Sequence, residues 1–300
     1  MFPGALGDLI CLGPAIRAIA RRHSPAPVDL MARGDLANFA ISRLAISEGH
    51  SIDLQFVSSL FRDEGPSDQA HLFFGRYHRV YSFFAHDDPR FSQNLQESTN
   101  GRVTFHPFRP PGIGHIAELY LASIEAAGQL LDARLRVTAQ DSESAKRFLL
   151  RIGVDANRLI LILPGSGSPG KNWPADRFNE LACRLARETT PLVVLGPAED
   201  DIGHMFDESG LLIGRGLSLE TVAGLASMAA MFIGNDSGIT HLAAAAGVPG
   251  LVIFGPTDPQ RWRPIGEVAI LRGKPIELIE TRAAYDTVRG LLSSPRRIRK

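Results

Sequence analysis

The stretch Met231-Phe-Ile-Gly-Asn-Asp-Ser-Gly-Ile-Thr-His-Leu-Ala-Ala-Ala-Ala-Gly-Val-Pro-Gly-Leu-Val-Ile-Phe254 decides the fold. Met231 to Gly234 is an apolar run that reads as a buried strand. A polar turn follows, then Ser237 to Ala246 carries the small and apolar residues of a helix, and Leu251 to Phe254 is again a buried strand. A strand, a helix and a second continuous apolar strand form a crossover unit of a parallel sheet covered on both faces.

Outward from this unit the same alternation continues. Leu159 to Leu163, Leu192 to Leu195 and Leu211 to Ile213 read as strands. Arg177 to Arg187 and Ser218 to Ala230 read as helices, the latter with Ser218 as its N-cap. The first half repeats the pattern less cleanly. Helices are expected over Pro14 to Arg22 and Ile116 to Ala127, and strands over Val28 to Met31, Arg79 to Phe84 and Val103 to Phe105. Loops are expected over Asp63 to Gln69 and Pro107 to Gly112. The fold class is therefore α/β, with two doubly wound Rossmann-like domains: residues 1–154, residues 155–274, and a C-terminal helix with a basic tail over 275–300 that could pack back on the first domain. A chain of 300 residues suits two domains.

Lys plus Arg and Asp plus Glu are both 32, so the net charge is zero, which argues against a protein that coats nucleic acid. The two cysteines, Cys11 and Cys183, lie far apart in apolar helical patterns and read as buried thiols of a reducing compartment rather than a disulfide or metal scaffold. No run of about 18 apolar residues marks a membrane span, and no leader pattern is seen. The expected location is cytoplasmic, compatible with peripheral contact with the inner membrane surface.

In doubly wound sheets ligands sit at the carboxyl ends of the strands, where loops enter helices. The turn Asn235-Asp236-Ser237-Gly238 is such a place. The amides that open the next helix form an anion site, Gly238 allows a phosphate to approach, and His241 lies one turn on. An ordinary capped helix would use the same residues. Leu163-Pro-Gly-Ser-Gly-Ser-Pro-Gly-Lys-Asn-Trp-Pro174 places Lys171 at the end of a loop with three glycines. It lacks the spacing of a P-loop and is either a phosphate cradle or a flexible loop. Gly4-Ala-Leu-Gly-Asp8 sets one carboxylate at a helix entry, as a cap or as a proton acceptor. Gly196-Pro-Ala-Glu-Asp-Asp201 offers Glu199 or Asp200 to ribose hydroxyls, or simply acidic residues to a helix N-terminus. Phe254-Gly-Pro-Thr-Asp-Pro259 begins a rigid loop that either lines a cleft or serves as a plain turn.

In order, these segments resemble glycosyltransferase family 9, the ADP-heptose:lipopolysaccharide heptosyltransferases. The resemblance rests on Gly4-Ala-Leu-Gly-Asp8 with Pro14-Ala15, Lys171-Asn-Trp-Pro174, Leu217-Ser-Leu-Glu220, Asn235-Asp-Ser-Gly238 with His241, Leu242-Ala-Ala-Ala-Ala-Gly-Val-Pro249, and Phe254-Gly-Pro-Thr-Asp-Pro259. It implies a GT-B fold and an inverting transferase that needs neither metal nor cofactor. Asp8 would be the general base, with Gly4 and Gly7 in the acceptor-side turn. Lys171, Ser237 and Gly238 would hold the donor diphosphate, and Ser166 would be a further donor-binding residue. Asp236 and His241 would lie beside the donor sugar and phosphates, Glu199 would face the ribose and Leu217 the adenine. The implied partners are an ADP-sugar donor and a glycolipid or glycan acceptor.

One departure concerns the N-terminus. The family carries an apolar strand before the Gly-rich turn, whereas only Met1-Phe2-Pro3 precedes Gly4 here. The expectation is a missing first strand, from a start assigned too late or a truncated, impaired protein. Two other readings stand beside the transferase: a nucleotide-sugar epimerase of the same shape and a non-catalytic nucleotide-sugar-binding protein. The oligomeric state is not readable.

Overall fold

The computed structural model describes residues 1–293. The chain forms two compact units, Met1–Leu131 and Asp132 onward. The division falls ahead of the position read from the sequence, and the reason is packing. Helix Ala139–Arg151 docks on helix Leu219–Met228 of the second unit, where the missing side chain of Gly224 lets the helices meet. A Cβ there would lie 2.2 Å from the Asp141 carbonyl oxygen.

The strands are β1 (Leu30–Ala32), β2 (Gly49–Ser51), β3 (Val80–Ser82), β4 (Val103–Phe105), β5 (Leu159–Leu163), β6 (Thr190–Leu195), β7 (Leu212–Arg215), β8 (Met231–Asn235), β9 (Gly250–Phe254) and β10 (Val268–Arg272). The longer helices are α1 (Leu6–His23), α2 (Asp68–Gly75), α3 (Pro89–Ser98), α4 (Ile116–Ser123), α5 (Ala139–Arg151), α6 (Ala175–Leu185), α7 (Leu219–Met228), α8 (Gly238–Ala245) and α9 (Thr281–Ser293).

The second unit is a six-stranded parallel sheet in the order β10-β9-β8-β5-β6-β7. All five residues of β5, β8 and β9 are buried, as expected of central strands with both faces covered. One face packs Ile160, Ile162, Phe178 and Leu181; the other packs Leu161, Phe232, Leu225 and Val252. Helix α9 adds Ala284 and Val288 to the first of these cores. It therefore packs within the second unit. The basic tail expected beyond it lies outside the described residues. Cys11 is buried, but Cys183 lies on the exposed side of α6, contrary to expectation.

In the first unit, two short parallel ribbons, β1-β2 and β3-β4, are joined by the chain start. Leu30 and Ala32 bond to the β2 side, so Met31 faces the other way, and its carbonyl accepts the Phe2 N–H at 2.8 Å. Val80 and Ser82 bond to the β4 side. The Met1 amine donates to the Tyr81 carbonyl at 2.7 Å, and Phe83 N–H donates to the Met1 carbonyl at 3.0 Å. Met1–Phe2 thus lies between the two ribbons and bonds to both. Beside it lies a cavity of about 390 Å³ lined by Met1, Leu12, Ile16, Leu30, Phe74 and Val80.

This cavity adjoins the Met1 amine. By the alternation of the ladder, the amides of Met31 and Tyr81 face it, and burial pushes the Met1 amine down to about 5. A four-residue apolar extension ahead of Met1 is expected to enter this cavity and replace a buried amine with a paired amide. Thermal unfolding should then rise by several degrees over that of a Gly-Ser extension of equal length. Equal melting temperatures for the two extensions would sink this reading. The pH dependence has a defined sign. The amine's folded value lies below its unfolded 8.0, so stability from this group is present above pH 8 and is lost as pH falls toward 5. The apolar extension should remove that slope.

Candidate functional site

The six strands of the second unit are parallel, so their carboxyl ends lie along one edge. The loops leaving that edge carry every donor-side residue singled out from the sequence. At the centre, Lys171 Nζ lies 3.1 Å from Asp236 Oδ2. The same oxygen accepts the Thr257 hydroxyl at 2.7 Å. Asp236 is 6% exposed, so the ammonium and the hydroxyl stand in for the water this carboxylate has lost. The three groups come from the loops after β5, β8 and β9.

Asn235 fixes the relative positions of two of these loops. Fully buried, it donates through Nδ2 to the Pro164 carbonyl at 2.6 Å and accepts the Trp173 amide at 3.0 Å. The end of β8 is thereby bolted to both ends of the Lys171 loop. Trp173, buried to 1% exposure, anchors that loop further through Nε1 to the Ile279 carbonyl at 2.9 Å. The loop is held at its base, which favours a built anion cradle over a flexible tether.

Ser237 is the N-cap of α8. Its hydroxyl pairs with Thr240 Oγ1 at 2.9 Å and accepts the Thr240 amide at 3.4 Å. Its side chain therefore serves the helix. The amides of Gly238 and Ile239 stand in the first turn, where a helix supplies no acceptors, at the positive end of its dipole. His241 is buried one turn further along α8, at 5% exposure.

On the other side of Lys171, the residues follow the order of the strands. Ser166, after β5, donates to the Ser168 carbonyl at 2.8 Å. Glu199, after β6, accepts the Gly196 amide at 2.8 Å and lies against Gly165, where a Cβ would stand 2.3 Å from its carboxyl carbon. Leu217, after β7, is half-buried against Gly214. The order Leu217, Glu199, Ser166 and Lys171, Asp236 and Ser237 is a continuous track along the sheet edge.

Asp8, Gly4 and Gly7 lie in the first unit. Asp8 is in the first turn of α1 and accepts the Ala5 amide at 3.3 Å. Gly4 has no room for a side chain, because a Cβ would meet the Phe2 ring at 2.4 Å and Asp8 Cβ at 2.7 Å. The glycine thus permits the turn that presents Asp8. Sequence spacing suggests no metal-ligand cluster, yet the fold brings Asp29, Glu48 and His50 together. Arg76 Nη2 sits among them, 3.2 Å from His50 Nε2, 3.7 Å from Glu48 and 3.8 Å from Asp29. The guanidinium already supplies the positive charge there. Among the described residues, no helix is long and apolar enough to cross a membrane.

Thr257 is the site residue that sequence reasoning did not single out. Its signal was present in the Gly255-Pro-Thr-Asp-Pro259 loop, but only the fold shows that this hydroxyl reaches Asp236.

Residues 107–284, more than half of the chain, match the profile of Glycosyltransferase family 9 (heptosyltransferase). Over 156 residues the chain is 28% identical to lipooligosaccharide heptosyltransferase 2 of Haemophilus influenzae. That match covers 48% of this chain and 45% of the relative, so it spans about half the relative's length. Among solved structures, the glycosyl transferase family 9 protein of Veillonella parvula superposes with a TM-score of 0.80 at 20% identity, covering 97% of this chain and 95% of that one. The E. coli ADP-heptose lps heptosyltransferase II superposes with a TM-score of 0.76 at 18% identity, covering 97% of each chain. These likenesses show the same fold.

Proposed function

We propose that this chain, which belongs to glycosyltransferase family 9, transfers a heptose or a related sugar from an ADP-linked donor to a lipopolysaccharide-type acceptor. Transfer inverts the anomeric carbon and uses no metal. The observation that carries this reading is the Lys171–Asp236–Thr257 cluster beside the N-terminus of α8. An ammonium and aligned helix amides are what a departing diphosphate needs. The ADP-heptose in the name of the E. coli structural neighbour supports adenine as the base and heptose as the sugar.

The track along the sheet edge supports the following division of roles. Leu217 supports the adenine, Glu199 accepts from the ribose hydroxyls, and Ser166, Lys171 and the Gly238 amide hold the diphosphate. Asp236 orients Lys171 and lies with His241 beside the sugar. The acceptor hydroxyl attacks the anomeric carbon as the bond to the diphosphate oxygen breaks. Asp8 takes the hydroxyl proton, and ADP leaves with the bond's electron pair. The work is cytoplasmic, with the acceptor glycolipid reached at the membrane face.

A thermal-shift series with ADP-, UDP- and GDP-linked sugars tests the donor assignment. The ADP-linked sugars are expected to raise the melting temperature most, by several degrees at a hundredfold excess over Kd. Equal or greater stabilisation by a UDP- or GDP-linked sugar would overturn the choice of base. Strong ADP-sugar binding without turnover on any glycolipid acceptor would reduce the chain to a binding protein.

A further inference from the structure

Asn235 is 0% exposed although its side chain is polar. A buried carboxamide is tolerated where its donors and its acceptor are used. Nδ2 donates to the Pro164 carbonyl at 2.6 Å and reaches Asn172 Oδ1 at 3.4 Å. Oδ1 accepts the Trp173 amide at 3.0 Å. The partners fix which way the carboxamide points. The Pro164 carbonyl only accepts and the Trp173 backbone N–H only donates, so a flipped carboxamide would lose both bonds.

We propose that Asn235 is a positioning residue for the donor diphosphate, and that it works only while it can donate and accept at once. The inference rests on the donor reading above and deepens it. Pro164 directly follows β5, and Trp173 lies just beyond Lys171, so the two bonds tie both ends of the loop 164–173 to one side chain. Within that loop a Cβ on Gly167 or Gly170 would meet nothing within 4 Å, so the middle is open and its ends set its position. Asp236, the next residue after Asn235, holds the Lys171 ammonium at 3.1 Å and donates its own N–H to the Ile253 carbonyl at 3.1 Å. Gly238 then opens α8. Asn235 places the loop, Asp236 places its ammonium and Gly238 begins the helix amides. Both halves of the anion site are thus referenced to one short turn.

The effect on affinity comes through preorganisation. A loop freed at its ends holds Lys171 in place for only part of the time, and the apparent Kd rises by the inverse of that fraction. A loop in place about one-tenth of the time binds about tenfold more weakly.

An aspartate at this position separates positioning from volume. Ionised, its carboxylate accepts and donates nothing, so the Pro164 carbonyl loses its donor. Protonated, its hydroxyl can donate to Pro164 while the other oxygen accepts from Trp173. Burial and the neighbouring Asp236 carboxylate both raise the titration of such a group, and the Lys171 ammonium opposes them. The elements around the turn also carry His241 in α8, Asp258 after β9, and Asp176 and Arg177 at the start of α6. Parent and variants share these groups, so the ratio of variant to parent at each pH removes their contribution.

Titrating ADP into the full chain reads the effect. Asn235→Ala should bind ADP about tenfold more weakly than the parent at acid and alkaline pH alike, with a raised donor KM and an unchanged acceptor KM. Asn235→Asp should match Asn235→Ala at about pH 8 and return to within about threefold of the parent at about pH 5.5. A merely structural role would not produce ADP affinity that recovers on acidification. A constant ratio of Asn235→Asp to parent across this range would overturn the proposal, as would Asn235→Ala binding within about twofold of the parent. If Asn235→Ala does not fold, Asn235→Asp decides alone. If Asn235→Asp melts out at the alkaline end, its affinity at the acid end decides, and weak binding there overturns the proposal. A parent that binds no ADP sinks the donor reading and this inference with it. A parent that binds ADP no better than its variants leaves the donor reading standing and sinks this inference alone.

Discussion

Replacing Asp8 with Asn is expected to cut sugar transfer by about 10²–10⁴-fold while leaving ADP affinity close to that of the parent. The substitution isolates the charge from the structural role. Asp8 sits in the first turn of α1 and accepts the Ala5 amide. The Oδ1 of an asparagine can still accept that hydrogen bond, so the turn and its Gly4 geometry persist. What disappears is the basic oxygen that takes the acceptor's proton, together with a favourable interaction with the helix dipole of about 0.3–1 kcal/mol. A small drop in melting temperature with a large drop in turnover is therefore the expected signature. Measured transfer within threefold of the parent would reduce Asp8 to a cap. The companion Asp8→Ala variant should lose both cap and base. A larger stability loss in that variant than in Asp8→Asn would show that the asparagine does preserve the turn.

The fold of the second unit was legible because its central strands are unbroken apolar runs. Leu159–Leu163 and Gly250–Phe254 are buried on both faces, and burial on both faces is what removes the alternation from a strand. The residues Val268–Arg272 escaped notice because β10 is an edge strand with no fully buried residue, preceded by Pro264 and Gly266. The first unit was harder for a different reason. Its strands are three residues long, and Gly49–Ser51 has no apolar residue at all. A strand that short is defined by its neighbours rather than by its own composition. Helix α1 extends eight residues further toward the N-terminus than the pattern suggested, because Pro14, which invites a helix start, lies within it. The donor site was readable for the residues whose chemistry is local, such as a lysine after glycines or a serine at a helix entry. Thr257 and Asn235 act across the ends of three strands, and such roles depend on strand order, which spacing along the chain does not encode.

Replacing Lys171 with Ala is expected to lower ADP affinity about 10- to 100-fold, the loss of one charge-assisted contact to the diphosphate. The structure adds a second effect that must be separated from the first. Asp236 is nearly buried, and Lys171 is its ionic partner at 3.1 Å. Removing the ammonium leaves a desolvated carboxylate whose Oδ2 keeps, among the described residues, the Thr257 hydroxyl as its side-chain partner. A fully buried pair broken in this way costs several kcal/mol. Here the lysine side chain is 33% exposed, and solvent screening reduces the penalty to about 1–3 kcal/mol. The double variant Lys171→Ala with Asp236→Asn resolves the two effects. The amide carries no charge to strand, so the melting temperature should recover most of its loss, whereas ADP affinity should stay low because the diphosphate still lacks its cation. If neutralising Asp236 restored ADP binding along with stability, Lys171 would be a structural counter-ion rather than a diphosphate ligand. In that outcome the helix amides of Gly238 and Ile239 would carry the anion alone.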